Sequence, residues 1–255
     1  MNNITKFKIP SILEDILKDL QKIGATPIIV GGSVRDFFLN IPIKDYDIEI
    51  FGINSLDIIQ KSLEKFGSVK LVGKSFGVLT LRVNEYDFDF ALPRTETKIG
   101  NTHQDFEVIT NANLSFKEAA IRRDFTINAI GYDFFKQEFL DPFDGINDLK
   151  NKTIKHINDK TFIEDSLRVY RAIQFASRFD FKIDENTKEL CKQIVLSDEL
   201  NYLPKERIYE EFKKLFLKSA KPSIGFELLR KLEVLKYFPE LEVLINCIQD
   251  PIYHP

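Results

Sequence analysis

Only two cysteines, Cys191 and Cys247, occur in 255 residues, and they lie far apart in helical-looking segments. So few thiols exclude a disulfide-stapled scaffold, and both read as inert core or surface groups. The three histidines, His103, His156 and His254, are scattered and show no metal-ligand spacing. Nowhere do the roughly 18 consecutive apolar residues of a membrane helix appear. Met1-Asn2-Asn3 opens no secretory leader, so the expectation is a cytoplasmic protein with no membrane partner. Positive charge is not in excess either. With a formal net charge of −3, any RNA must be held by local basic patches and not by a global field. Internal repeats and low-complexity tracts are missing too. What remains, 44% hydrophobic and 29% charged, is the composition of a globular protein long enough for one large or two small domains.

The patterning changes near residue 150. Before it, helical and alternating segments intermix. Helical spacing covers Ser11–Ile23, Ser33–Asn40 and Leu56–Phe66, and strand patterns cover Pro27–Val30, Asp45–Phe51, Val69–Val72, Phe76–Val83 and Tyr86–Leu92. Polar Thr95–Phe106, with Gly100 and Asn101, reads as a mobile loop. After Lys155 helices dominate: Ile163–Phe179, Asn186–Val195, Pro204–Lys218, Ser223–Leu232 and Leu241–Ile248. The expected fold is thus α/β followed by all-α, divided into residues 1–150 and 151–255.

Two motifs in the first half carry chemistry. Gly31 and Gly32 stand between a strand and a helix, where missing side chains permit a tight turn and close approach of a ligand. The helix start at Ser33 offers free amides to phosphate, and Arg35, one turn in, has the fork to clamp it. A plain strand-to-helix turn with Asp36 pairing Arg35 is the competing reading. The second motif is Asp45-Tyr46-Asp47. Residues i and i+2 of a strand share a face, so the two carboxylates project together. So close, they repel unless a cation lies between them, and hard oxygen ligands suit Mg²⁺. Such sites use a third acid, for which Asp89 is the candidate and Asp87, on the same face, the competitor. A solvated strand edge continued by Glu49 is the bland alternative. Together the motifs point to nucleotidyl transfer.

With these residues in view, the chain resembles the class II tRNA nucleotidyltransferases, the family of CCA-adding enzymes and bacterial poly(A) polymerases. The likeness runs from about Ile28 to the C-terminus. It is carried by Gly31–Asp36, Asp45/Asp47, Phe90–Arg94, Arg122–Ala129, Asp141–Gly145, Glu164–Arg168 and Pro204–Arg207. The resemblance implies a polymerase-beta-like head with a mixed sheet, followed by a helical neck and body. It implies that Gly31, Gly32, Ser33 and Arg35 hold the triphosphate, that Asp45 and Asp47 hold the metal, and that Arg123, supported by Asp124 and Asn128, binds the nucleotide.

It further implies that Asp165 and Arg168, i and i+3 on one helix, read the base in place of a template. Cytosine and adenine both present an amino donor beside a ring-nitrogen acceptor, which Asp165 and Arg168 complement; uracil and guanine present the reverse. Arg171 matches a further nucleotide-site arginine, whereas Gln174 stands where many relatives carry a third. The implied substrates are CTP, ATP and a tRNA 3′ end, with Mg²⁺ as cofactor. Adenosine-only addition, and a non-catalytic RNA-binding module, stay open as alternatives. The Thr95–Phe106 loop is similar to the flexible loop that helps relatives pass from cytidine to adenosine addition.

Gly73-Lys74-Ser75 imitates the end of a P-loop, but Ser68 occupies the position of its first glycine, and an alternating strand follows. Asp250–Pro255 resembles the junction at which longer relatives continue. The expectation is therefore a complete head and neck with a weakened grip on tRNA, compensated by a homo-oligomer or a partner chain. Lys205, Arg207, Lys213, Lys214, Lys218 and Lys221 are candidate phosphate contacts or a solvated helix face.

Overall fold

A computed structural model describes residues 7–72, 77–98 and 106–248, without the side chains of 96–98 and 106–107. Gly73–Phe76, His103, His254 and Asp250–Pro255, each given a reading from sequence, lie outside the described residues. The chain divides into two compact units, residues 1–151 with 155–162, and residues 152–154 with 163–255.

The first unit is built on one mixed sheet. Its elements in chain order are α1 (Ser11–Lys22), β1 (Thr26–Val30), α2 (Gly32–Phe38), β2 (Asp45–Phe51), α3 (Leu56–Leu63), β3 (Val69–Val72), β4 (Val78–Val83) and β5 (Tyr86–Ala91). There follow β6 (Arg94–Lys98), β7 (Phe106–Thr110), α4 (Phe116–Ala120), a 3₁₀ turn (Thr126–Asn128), β8 (Gly131–Asp133), β9 (Glu138–Leu140) and α5 (Gly145–Lys150). Seven strands line up as β3-β4-β5-β2-β1-β8-β9. Only β2 and β5 run parallel, with Asp45 opposite Asp87 and Asp47 opposite Asp89.

Strand alternation separates core from chemistry. Ile29, Tyr46, Ile48, Ile50, Leu79, Leu81, Phe88 and Phe90 share one face and are buried. That face is covered by α1 and α3, and α1 meets its neighbours with Leu13, Ile16, Leu17 and Leu20, all fully buried. Each such side chain contributes about 1.5–3 kcal/mol on leaving water. The opposite face carries the acids of β2 and β5. Since β2 lies between β5 and β1, Glu49 does not sit on a solvated edge.

Two sequence expectations need correction here. Thr95–Lys98 is not loop: Arg94–Lys98 pairs antiparallel with Phe106–Thr110 as a two-stranded ribbon. Alternation over so few polar residues gave no apolar face to read, and residues 99–105 are outside the described ones. β8 and β9 also went unread, being three residues each, too short for a period.

The second unit contains β10 (Thr153–Ile154), which pairs in parallel with β11 (Lys182–Ile183). Helix α6 (Asp159–Glu164) spans the division, and α7 (Arg168–Phe179), α8 (Glu185–Leu196), α9 (Lys205–Lys218), α10 (Pro222–Lys231) and α11 (Pro239–Glu242) follow it. The expected single helix over Ile163–Phe179 is two, broken at Asp165–Leu167. The Asp165 carboxylate accepts the Leu167 amide at 3.2 Å, and such a side-chain bond competes with helix continuation. The helix expected over Leu241–Ile248 ends at Glu242, with Asn246 at φ 61°. Among the described residues no helix is long and apolar enough to cross a membrane.

Candidate active site

The glycine turn and the acidic pair come together. Gly31 has φ 73° and ψ −130°, a conformation that L side chains rarely adopt. A β-carbon there would lie 3.0 Å from Arg123 NH1 and 3.4 Å from Asp47 Oδ2. Thus Gly31 lets the β1–α2 turn press against both a carboxylate and a guanidinium. Ser33 is buried with its hydroxyl donating to Val30 O at 3.2 Å, so it fixes the turn.

Asp47 is open to solvent on the acidic face of the sheet, with protein atoms crowded round it. Burial raises its pKa, Arg123 opposes, and the charges of Asp89, Glu49 and Asp45 raise it further. Asp89 lies across the parallel ladder and accepts from Thr80 Oγ1 at 2.6 Å. Asp87, its rival, pairs instead with Arg82 at 3.5 Å. Asp45 is exposed at the start of β2. The electrostatics therefore couple Asp47 to Asp45 and Asp89. Among the described residues, no three His, Cys, Asp or Glu side chains form a ready-made metal cage. His156 bonds Asp159 at 2.7 Å and takes no part.

Behind the carboxylates lies a cluster that sequence reasoning missed. Glu49 is 2% exposed and bridges Arg122 at 2.8 Å and Arg123 at 3.1 Å. Burial alone would raise its pKa, but Arg123 and Arg122 outweigh it and hold the carboxyl below its ordinary value. The same alternation that made Asp45 and Asp47 a pair puts Glu49 next in line; only its distant partners were invisible. Arg123 also donates to Asn128 O at 3.3 Å. Helix α4, opened by a Ser115–Glu118 capping box, ends directly before these arginines. Glu49→Ala should lower stability by about 3–5 kcal/mol, the loss typical when one partner of a buried pair is removed. Urea denaturation measures it, and a cost below ~1 kcal/mol would show that the cluster is not structural.

Arg35 is buried rather than presented. Its Nε and NH2 meet Asp36 Oδ1 at 2.8 and 2.7 Å, and NH1 donates to Asn128 Oδ1 at 2.6 Å. Asn128 in turn donates to Asp124 Oδ1 at 2.9 Å. The chain Asp36–Arg35–Asn128–Asp124 clips α2 to the Thr126–Asn128 turn. Gly145 completes this support: a β-carbon there would fall 2.2 Å from Thr126 O, so no larger residue lets α5 start so near the turn.

In the second unit, Asp165 stands in the break before α7. Its Oδ2 faces Arg207 NH2 at 3.5 Å, longer than a charge-assisted bond. Arg168 is the first residue of α7 and is buried. One turn on, Arg171 approaches buried Glu211 at 3.7 Å and lies 5.2 Å over the Phe175 ring. Gln174 is 1% exposed and its Nε2 has no hydrogen-bond partner among the described residues. Of the candidate phosphate contacts, Lys213, Lys214 and Lys221 pair with Glu210, Glu211 and Asp180.

An Asp-x-Asp strand beside a third aspartate, on a mixed sheet with a glycine turn at its face, defines a polymerase-beta-like nucleotidyltransferase head. The chain belongs to the family of the poly A polymerase head domain, whose pattern matches residues 28–155. A second pattern, described as a probable RNA and SrmB-binding site of polymerase A, matches residues 180–245. The family are nucleotidyltransferases that generally depend on a divalent metal.

Among similar proteins, the multifunctional CCA protein of Haemophilus ducreyi is 39% identical over 230 residues, covering 89% of this chain and 53% of the relative. That of Pseudoalteromonas atlantica is 37% identical over 231 residues, covering 89% and 54%. The chain thus spans about half the length of these relatives. A solved CCA-adding enzyme with CTP shares the fold at TM-score 0.74 and 29% identity, over 96% of this chain and 56% of that one. A tRNA nucleotidyltransferase with a primer tRNA and an ATP analogue matches at TM-score 0.70 and 32% identity, over 87% and 61%.

Proposed function

We propose that this chain adds CMP and AMP from CTP and ATP to the 3′ end of tRNA in the cytoplasm, without a nucleic-acid template and with Mg²⁺. The observation that carries the reading is the meeting of Asp47, Gly31 and Arg123 on the acidic face of the sheet, with Asp45 and Asp89 beside Asp47. Asp45 and Asp47 fit Mg²⁺ because their mutual repulsion is relieved by a cation. Moreover, Mg²⁺ is commonly held by one or two carboxylates plus substrate phosphates and water, not by a protein cage. When bound, the metal supplies activation of the primer 3′-hydroxyl and charge neutralisation at the pyrophosphate leaving group.

The chain's own groups do the rest. Amides of Gly32 and Ser33 and the Arg123 guanidinium bind phosphate oxygens, while the Gly31 amide, which donates to Ile130 O at 3.2 Å, anchors the turn, and Glu49 keeps Arg123 turned toward the glycine turn. Arg35 acts through Asn128 and Asp124, holding the turn rigid so that the phosphates meet fixed donors. Asp89 shares the charge of the acidic face and is held by Thr80. In the helical unit, Asp165 and Arg168 select the base, Arg171 is steadied by Glu211, and the buried Gln174 amide offers an unused donor.

The test supplies tRNAs ending before CCA, after C and after CC with CTP, ATP or both, and reads the products on sequencing gels. Stepwise completion of CCA with both nucleotides is expected. Extension only of the CC-ending tRNA by ATP would replace the reading with adenosine-only addition. No incorporation from either nucleotide in the presence of Mg²⁺ would refute catalysis.

A further inference from the structure

The helical unit holds a cavity that Asp165, Arg168 and Arg171 do not line. It encloses about 600 Å³, within the range of small-ligand pockets. Its floor is aromatic: Tyr170 lies 6.0 Å from Phe212 and 6.2 Å from Phe238, while Phe212 and Phe238 meet edge to face at 5.0 Å. Tyr170 is 3% exposed, and its hydroxyl has no hydrogen-bond partner among the described residues. That hydroxyl is not among the sealed, unpartnered polar atoms, so it is open to the cavity, where a ligand can meet it. At the rim stand Tyr209, 63% exposed, and the cations Lys205 and Lys236. Among the described residues, no acidic side chain lines the cavity. Lys236 is already bonded to Asp198 at 2.9 Å, whereas Lys205 makes no ion pair among the described residues.

We propose that this pocket receives an unstacked base of the RNA strand, with Lys205 on a neighbouring phosphate. Aromatic surfaces that stack any base, combined with an uncompensated cation, are the general means of holding single-stranded RNA. The Tyr170 hydroxyl gives the floor a polar contact that base edges, rich in acceptors, can meet. An apolar peptide side chain would leave both that hydroxyl and Lys205 unused. The inference rests on the reading of the chain as an enzyme acting on RNA ends, and it adds a site for the strand away from the reacting terminus.

The experiment is fluorescence anisotropy of a tRNA lacking its 3′ CCA, titrated with the whole chain at several salt concentrations. Tyr209→Ala is expected to weaken binding about tenfold or more, and Tyr209→Phe, which keeps the ring, to stay within twofold. Lys205→Ala should reduce the slope of log affinity against log salt by about 1. Tyr209 is exposed, so an unchanged thermal midpoint will separate lost binding from lost folding. Free CMP and AMP at millimolar concentration are expected not to displace the RNA; displacement would transfer the pocket to mononucleotides and overturn the assignment. Wild-type affinity and salt slope in Tyr209→Ala would overturn it as well, leaving a protein segment as occupant. Binding needs no turnover. A chain that binds through the pocket but adds no nucleotide therefore refutes only the catalytic reading, and one that adds nucleotides while Tyr209→Ala binds normally refutes only this one.

Discussion

Asp47→Asn is expected to slow addition of CMP and AMP to tRNA by at least about 10³-fold, a loss near 4 kcal/mol of transition-state stabilisation. It should do so without lowering the temperature of unfolding. The two halves of this result have one origin. Folding raises the Asp47 pKa, first through burial and then through the nearby charges of Asp89, Glu49 and Asp45, with only Arg123 opposing. A carboxyl whose pKa is raised by folding favours the folded state at acid pH and disfavours it once pH rises through the folded value. At neutral pH, without a divalent ion, the charge is therefore a cost. The cost is modest because water reaches the group. Asparagine removes the charge while keeping the shape, so the metal-free midpoint should hold or rise slightly. Mg²⁺ should raise the midpoint of the wild type, because a ligand of the folded state stabilises it, and should leave Asp47→Asn unmoved. Thermal denaturation with and without Mg²⁺, run beside the incorporation assay, reads both effects. A variant that melts several degrees lower would ascribe the lost activity to misfolding, and one active within tenfold of wild type would remove Asp47 from the chemistry.

Why this site was legible in the sequence, and others less so, follows from the range of the interactions involved. Asp45 and Asp47 were readable because a two-residue period fixes their face, and Tyr46 and Ile48 bury themselves as that period requires. The choice of Asp89 over Asp87 needed the register of β2 against β5, which no local pattern encodes. Both acids share a face, and only pairing shows that Asp89 stands beside Asp47. Glu49 was visible as an acid, but its role depends on Arg122 and Arg123, more than 70 positions away. For Arg35 the sequence offered a phosphate clamp and an Asp36 pair as equals. Burial and the bond to Asn128, 93 positions distant, favour the structural clip. The helix break at Asp165 is a local event, one side chain capturing one amide. Periodicity cannot show it because the apolar pattern continues across it.

That break sharpens the last expectation, for base choice. On an unbroken helix Asp165 and Arg168 would simply share a face. Instead the Leu167 amide fixes Oδ1 of Asp165 at 3.2 Å, while Arg207 stands 3.5 Å from Oδ2. One oxygen is thereby oriented, and the other keeps capacity to accept from the amino group of cytosine or adenine. Arg168, whose own amide bonds Asp165 O at 3.0 Å, begins α7 directly after the break and, on the proposed reading, is the donor to the ring nitrogen. Uracil offers an oxygen where an amino group is needed, leaving Asp165 unpaired, and sites of this kind discriminate by about 10⁴–10⁵. Asp165→Asn turns part of the acceptor into a donor. It should narrow the preference for CTP over UTP by about 10²–10³, mostly by slowing CTP incorporation and partly by admitting UTP. Arg168→Ala should slow CTP and ATP alike, since both lose the same ring-nitrogen bond. Single-nucleotide incorporation with each of the four triphosphates gives these ratios directly. If both variants keep the CTP-to-UTP ratio within threefold of wild type, Asp165 and Arg168 are an ordinary helix-start pair and the base is read elsewhere.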